Sequence, residues 1–318
     1  MRALVFDDTL RFDAHHPDPK PGPDDALLHV LRAGICATDL EIVRGYLGFR
    51  GVPGHEFVAR VIEGPPPLRG RRVVAEINCV CGRCDLCTAG LSTHCRRRTV
   101  VGISGRDGAF AEMLAVPASN CRVLPDEIGD EEAVFVEPLA AAMQVLRQVK
   151  VEPSMRVAVV GTGRLGLLVA QVLARTGCAL LAVGRNPLTL GRLDRGGIRT
   201  ATAAEVPRRQ DHDVVVECTG SAEGLPLALS LVRPRGTVIV KTTLAERPPV
   251  DLAPLVINEV TLLGSRCGPF DDAIAALARR EIEVASMVSR AFSLSQGLAA
   301  FESAADPRNV KVLLKPDA

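Results

Sequence analysis

The chain has 318 residues, 47% hydrophobic and 24% charged, which fits a soluble globular protein of roughly two domains at about 150 residues each. Its 38 basic residues nearly balance 37 acidic ones, so neither general nucleic-acid binding nor attachment to a membrane surface is expected. No uncharged apolar run reaches the ~18 residues of a membrane span, and with Trp absent and aromatics at 3% a base-stacking platform is excluded as well.

The ten cysteines need an account. Asp7 and Asp8 interrupt the only apolar start, Ala3 to Phe6, which predicts no export signal and a reducing, cytoplasmic setting. Clustered cysteines in such a compartment point to metal or chemistry.

In chain order, short strands are predicted at residues 2–6, 27–33, 57–62, 72–75 and 110–116, separated by Pro17 to Pro23 and by Pro65, Pro66 and Pro67. They predict a compact β-barrel. A helix follows over 131–150, then a buried-strand run over 156–160. Strand-like runs at 179–183, 214–217, 237–240 and 261–263 alternate with helix-like ones. That alternation predicts a parallel sheet with helices on both faces. The tail reads as a helix over 271–280 and a strand over 310–314.

Cys81, Cys84, Cys87 and Cys95 have the spacing C-x2-C-x2-C-x7-C. Four thiolates so spaced can close a tetrahedral shell around one zinc with no position left for substrate. A disulfide pair or an iron–sulfur site is the competing reading, and Cys79 and His94 stand beside the cluster as alternative ligands.

A second, open metal site is predicted from Cys36, just after a strand, and from His55 and Glu56, where another strand begins. Each alone reads as packing. Together, sulfur, imidazole and carboxylate are the mixture that holds a catalytic zinc and leaves one position free. Glu137 lies in an apolar stretch, where a buried acid would need a partner such as a cation.

Gly161-Thr162-Gly163-Arg164-Leu165-Gly166 lies between a predicted strand and a predicted helix, the context that turns a G-x-G-x-x-G into a dinucleotide-binding turn. Its glycines let the backbone approach a pyrophosphate at the helix N-terminus. The next strand runs into Gly184, Arg185 and Asn186, with no carboxylate for a ribose 2′-hydroxyl and a guanidinium for a 2′-phosphate. NADP(H) is therefore expected over NAD(H), against the alternative that Arg185 is an ordinary surface arginine.

The three constellations together resemble the zinc-containing medium-chain dehydrogenase/reductase family of alcohol, polyol and threonine dehydrogenases. The likeness covers essentially the whole chain, including Asp107-Gly108-Ala109-Phe110-Ala111-Glu112, Gly264-Ser265-Arg266 and Lys311-Val312-Leu313-Leu314. It implies a GroES-like catalytic barrel over 1–138 and 271–318, carrying a structural-zinc lobe at 79–96, with a Rossmann domain over 139–270 inserted into it and the active site in the cleft between. It further implies two zincs per chain, with Cys36, His55 and Glu56 at the catalytic-zinc positions and Glu137 as an additional ligand or water partner. By the same resemblance Thr38 is the proton-relay hydroxyl, Arg266 belongs to the cofactor site, and the assembly is a homodimer or homotetramer. Asp39 supports His55 or is an exposed turn residue, and Tyr46 and Phe49 are pocket walls or loop packing.

Three departures bear on the carry-over. Glu41 stands where many relatives have a relay histidine, either replacing it or lying on the surface; Thr189-Leu190 replaces a Lys-Leu pair; and the loops near Gly45 to Gly51 and Pro65 to Gly70 are short. The reaction expected is hydride transfer between NADP(H) and a small alcohol or polyol, or the matching aldehyde or ketone, with zinc as Lewis acid. The alternatives are a zinc-free NADPH reductase and a non-catalytic NADP(H)-binding redox sensor.

Overall fold

Ala26, Leu28 and Val30 are buried at every second position of the strand Asp25–Ile35, the period-two pattern of a strand with one face on a core. This strand is central to a seven-stranded sheet in the computed structural model, which describes residues 1–245 and 249–317. The order across the sheet is Cys121–Val123, Arg72–Ala75, Glu56–Glu63, Asp25–Ile35, Lys311–Lys315 and Val288–Ser293, and Met113–Pro117 also pairs with Asp25–Ile35. Two register shifts interrupt the ladder between Asp25–Ile35 and Glu56–Glu63, between Leu27 and Leu28 and between Val30 and Arg32. Bulges of this kind bend a strand and increase its twist. The sheet belongs to a unit formed by Met1–Glu137 and the segment from Phe270 onward.

Two predicted elements differ here. The strand expected over 110–116 begins only at Met113. Upstream of it the backbone bonds elsewhere: Ala109 N–H donates to Gly54 O at 2.8 Å and Phe110 N–H to Pro53 O at 3.0 Å, so the ladder cannot take them. The Phe110 ring is fully buried and meets Phe301 edge-on, centroids 5.7 Å apart. The helix expected over 131–150 is two helices, Asp130–Ala133 and Val136–Gln148. Pro138 explains the break, because a residue without N–H is tolerated in the first turn of a helix and not in its interior.

The second unit is Pro138–Pro269. Its six strands are all parallel, in the order Arg199–Thr202, Ala179–Gly184, Arg156–Val160, His212–Glu217, Val232–Val240 and Thr261–Gly264. Val157–Val160 and Val214–Val216 are buried throughout, as expected for central strands covered on both faces. In sequence terms the order is 3-2-1-4-5-6, the doubly wound arrangement, whose switch point lies between Arg156–Val160 and His212–Glu217.

The Phe110–Phe301 contact gives a direct test of the first unit's core. Phe110→Ala is expected to cost about 3–5 kcal/mol in denaturant unfolding; a loss below about 1 kcal/mol would show that the ring fills no essential space.

Candidate active site

Cys36 follows the last residue of the strand Asp25–Ile35 and occupies the N-cap of the helix Ala37–Ile42. Its backbone N–H donates to Asp39 Oδ2 at 2.8 Å. His55 and Glu56 enter the neighbouring strand, and antiparallel pairing of Gly34 with Glu56 sets the two strand ends side by side. One ligand atom each from Cys36, His55 and Glu56 lies within 4.8 Å of the others. His55 and Glu56 are 3% and 1% exposed and Cys36 is half-buried, so the three form a sulfur, nitrogen and oxygen donor set that is mostly shielded but open on the sulfur side.

Asp39 is buried, not an exposed turn residue. Its Oδ1 lies 3.2 Å from His55 Nδ1, close but not aligned as a hydrogen bond. Burial works against a charge on His55, but Asp39 and the Cys36 thiol outweigh it and hold the ring well above the ordinary histidine value. With Nδ1 turned toward Asp39, Nε2 is the nitrogen left for a metal.

Thr38 Oγ1 stands 3.9 Å from Cys36 Sγ. Glu41 accepts a bond from Arg44 at 2.8 Å on the outer side of the same helix. Glu137 is half-buried and is not one of the grouped donors Cys36, His55 and Glu56. It sits in the first turn of Val136–Gln148, where the helix dipole already favours a negative charge without any metal. Phe49 packs with Phe6 and Ile42, which is the loop-packing role, and Tyr46 is half-buried. Sequence reasoning gave no role to Lys311, whose buried ammonium pairs with Glu56 Oε2. Its signal was a charge immediately before the apolar run Val312, Leu313 and Leu314.

The sulfurs of Cys81, Cys84, Cys87 and Cys95 form the second donor group. Cys84 lies 3.5 Å from Cys87 and 3.8 Å from Cys95, and Cys95 lies 3.5 Å from Cys81. The edge of a tetrahedron with Zn–S near 2.3 Å is about 3.8 Å, so the spacing fits zinc. All four are free thiols, separated by far more than a disulfide bond. The Arg83 backbone N–H draws Cys81 down to about 6, whereas burial, joined by the neighbouring thiols, pushes Cys87 up to about 12.

In the second unit, the turn after Arg156–Val160 assigns each glycine a physical task. Gly161 has φ of +98°, and a Cβ there would strike the Cys218 backbone at 2.7 Å. A Cβ on Gly166 would overlap the Gly161 carbonyl, so this glycine lets the helix Arg164–Ala174 pack against the turn. Gly163 faces open space, as an approach to a phosphate requires. The helix has no side-chain N-cap and no acid in its first turn, which leaves its N–H groups and dipole free for an anion.

Thr162, between the glycines, is buried and shares a 2.9 Å hydrogen bond with Thr189 Oγ1. Thr189 is therefore an interior link between the glycine turn and the helix Pro187–Arg195. Gly184 is required beneath it, since a Cβ would overlap Thr162. Arg185 is exposed, whereas Asn186 uses its side-chain oxygen to cap Leu188 N–H at 2.9 Å. Glu223, unnoticed in the sequence, is held below the usual carboxylate range first by the Ser221 hydroxyl and also by the charge of Arg185. Arg266 is exposed, with Nη1 3.7 Å from Cys267 Sγ. A cavity of about 540 Å³ in this unit is lined by Glu217, Leu225, Leu229, Val240 and Thr242 among others, and neither the glycine turn nor the metal donors border it.

A separate unit with two donor groups and a doubly wound unit with a glycine turn are the architecture of a zinc-binding dehydrogenase. Residues 22–126 match the alcohol dehydrogenase GroES-like domain, and residues 165–281 match the zinc-binding dehydrogenase domain. The chain is 31% identical to an L-threonine 3-dehydrogenase of Streptomyces coelicolor, over 99% of both chains. Among solved structures it is similar to the alcohol dehydrogenase TADH from Thermus sp. ATN1, at 31% identity, TM-score 0.88 and full coverage of both chains. A zinc-binding dehydrogenase from Sinorhizobium meliloti, bound to NADP, superposes with TM-score 0.86 at 28% identity over 99% of both chains. The chain belongs to the zinc-dependent medium-chain dehydrogenase/reductase family, with GroES-like and Rossmann folds, and is an oxidoreductase of the alcohol and polyol dehydrogenase type.

Two outcomes follow from these geometries. Zinc needs thiolates, so metal retained by the four-cysteine group, measured by chelator competition, should fall as the pH is lowered and protons compete for the sulfurs. Thr189→Val keeps the shape and removes the link to Thr162, and should weaken dinucleotide binding by about five- to tenfold in a fluorescence titration.

Proposed function

We propose that the protein is a zinc-dependent dehydrogenase that transfers a hydride between NADP(H) and a small alcohol or polyol, or the matching aldehyde or ketone. The observation that carries this reading is the donor set of Cys36, His55 and Glu56, which mixes sulfur, nitrogen and oxygen as a catalytic zinc site does. Zinc, when bound there, would supply a Lewis acid for a substrate oxygen. The remaining steps fall to the chain's own residues. Asp39 fixes the His55 ring and, through Oδ2, the Cys36 backbone, so two ligands share one support. Thr38 Oγ1, 3.9 Å from Cys36 Sγ, is placed to take the proton of a substrate hydroxyl and pass it on. Glu41, which accepts from Arg44, would end that relay. Cys81, Cys84, Cys87 and Cys95 would hold a second, structural zinc.

For the cofactor, Gly161, Gly163 and the N-terminus of Arg164–Ala174 would cradle the pyrophosphate, with Thr162, Arg164, Leu165 and Gly166 completing the turn. Arg185 would pair with the 2′-phosphate of NADP(H), supported by its exposure and by the absence of a carboxylate in Gly184, Arg185 and Asn186. For the assembly we propose a homodimer or homotetramer built on the edge strand Thr261–Gly264 and on Val256 and Ile257, which are 76% and 77% exposed.

The deciding experiment combines metal analysis with a substrate screen that starts from L-threonine and sorbitol, the substrates named for relatives of this chain. About two zincs per chain and NADPH-linked turnover are expected, with turnover lost in Cys36→Ser and cut by about 10²-fold or more in Thr38→Ala. One zinc per chain, or activity undiminished in Cys36→Ser, would contradict the reading. NADPH should bind more tightly than NADH, and Arg185→Ala should remove about tenfold of that preference.

A further inference from the structure

Among the described residues, Lys311 is a charged group that is fully enclosed and that the proposed chemistry leaves unused. Lys311 heads the strand Lys311–Lys315, is 1% exposed, and pairs through Nζ with Glu56 Oε2, which is 1% exposed as well. The two lie on strands separated by a third: Lys311–Lys315 and Glu56–Glu63 flank Asp25–Ile35 on opposite sides. What lets them meet is Gly34, which pairs with both strands, opposite Glu56 on one side and Leu313 on the other. A Cβ at Gly34 would come within 2.9 Å of Glu56 Oε2 and 3.3 Å of Lys311 Cδ, so the glycine is the window through which the pair forms. Lys311 Nζ also lies 5.5 Å from the centroid of the Phe135 ring, which is buried. A lysine ammonium is rarely enclosed to this extent unless it is paired.

We infer that Lys311 is a positioning residue of the Cys36, His55 and Glu56 site: it holds the Glu56 carboxylate by one oxygen and offsets its charge. This rests on the reading of those three residues as metal ligands. A metal there would meet the full charge of Cys36, while the charge of Glu56 is already offset by the ammonium. The donor set therefore binds a divalent ion without saturating it, and the ion keeps the electrophilic character that polarising a substrate oxygen requires. Without the ammonium, Glu56 would turn its whole charge on the metal, which would be held more tightly and would polarise less.

The test is Co²⁺ binding to the purified full chain, read from the part of the thiolate absorption that is lost in Cys36→Ser. Lys311→Met should raise Co²⁺ affinity by about tenfold or more and lower kcat, with NADPH affinity unchanged. Glu56→Gln, which strands the ammonium beside the metal, should weaken Co²⁺ by a similar factor. The double variant Glu56→Gln with Lys311→Met should return within about threefold of the wild type. This last protein carries no unpaired buried charge and keeps the test open if either single variant fails to fold. Equal or weaker Co²⁺ binding in Lys311→Met, or a double variant as weak as Glu56→Gln, would overturn the inference. A wild type with no Cys36-dependent absorption would instead remove the metal-site reading beneath it.

Discussion

Register between two strands governs this structure's chemistry. Cys36 follows the end of Asp25–Ile35, and His55 precedes the start of Glu56–Glu63, so the antiparallel pairing of Gly34 with Glu56 brings a thiol and an imidazole to one edge. A slip of one residue would turn every side chain of a strand to its opposite face and disperse the donor set. The apolar pattern of Ala26, Leu28 and Val30 fixes the register by committing those residues to the core. Hydrophobic burial thus determines where the polar atoms stand, although it contributes no ligand itself.

The same economy recurs in the second unit. Its chemistry lies in backbone N–H groups, and the side chains that matter are those that are missing or locked. Gly161 and Gly166 allow a close helix-to-strand approach, and Thr162 and Thr189 tie that approach to the tip of the adjacent strand. At the surface Arg185 and Glu223 lie within each other's field, and the strand tip itself carries no carboxylate.

Features contained in a short stretch of chain were legible in the sequence. The four cysteines and the glycine turn each announce themselves within about twenty residues through spacing, and the parallel sheet through short apolar runs that recur along the chain. Features that need a partner from elsewhere were not. Lys311 meets Glu56 across 255 residues, and only strand order and an intervening glycine reveal that they touch. Glu137 shows the limit of a local reading: apolar sequence neighbours suggest burial, but a helix turns each residue by about 100° and leaves this one half-buried. Pro138 could have announced the helix break, since its missing N–H restricts it to a first turn. The backbone bonds of Phe110 could not be foreseen, because its N–H goes to Pro53 and its carbonyl accepts from Leu4, both more than fifty positions away.

The central claim is that the register-built donor set holds a metal distinct from the one expected at the four cysteines. Anomalous diffraction at the zinc edge, from crystals grown with zinc and NADP⁺, tests it most directly. The account predicts two anomalous peaks per chain, one within about 2.3 Å of the sulfurs of Cys81, Cys84, Cys87 and Cys95, the other bonded to Cys36 Sγ and His55 Nε2. A single peak at the four cysteines, with Cys36 and His55 free of metal, would contradict it.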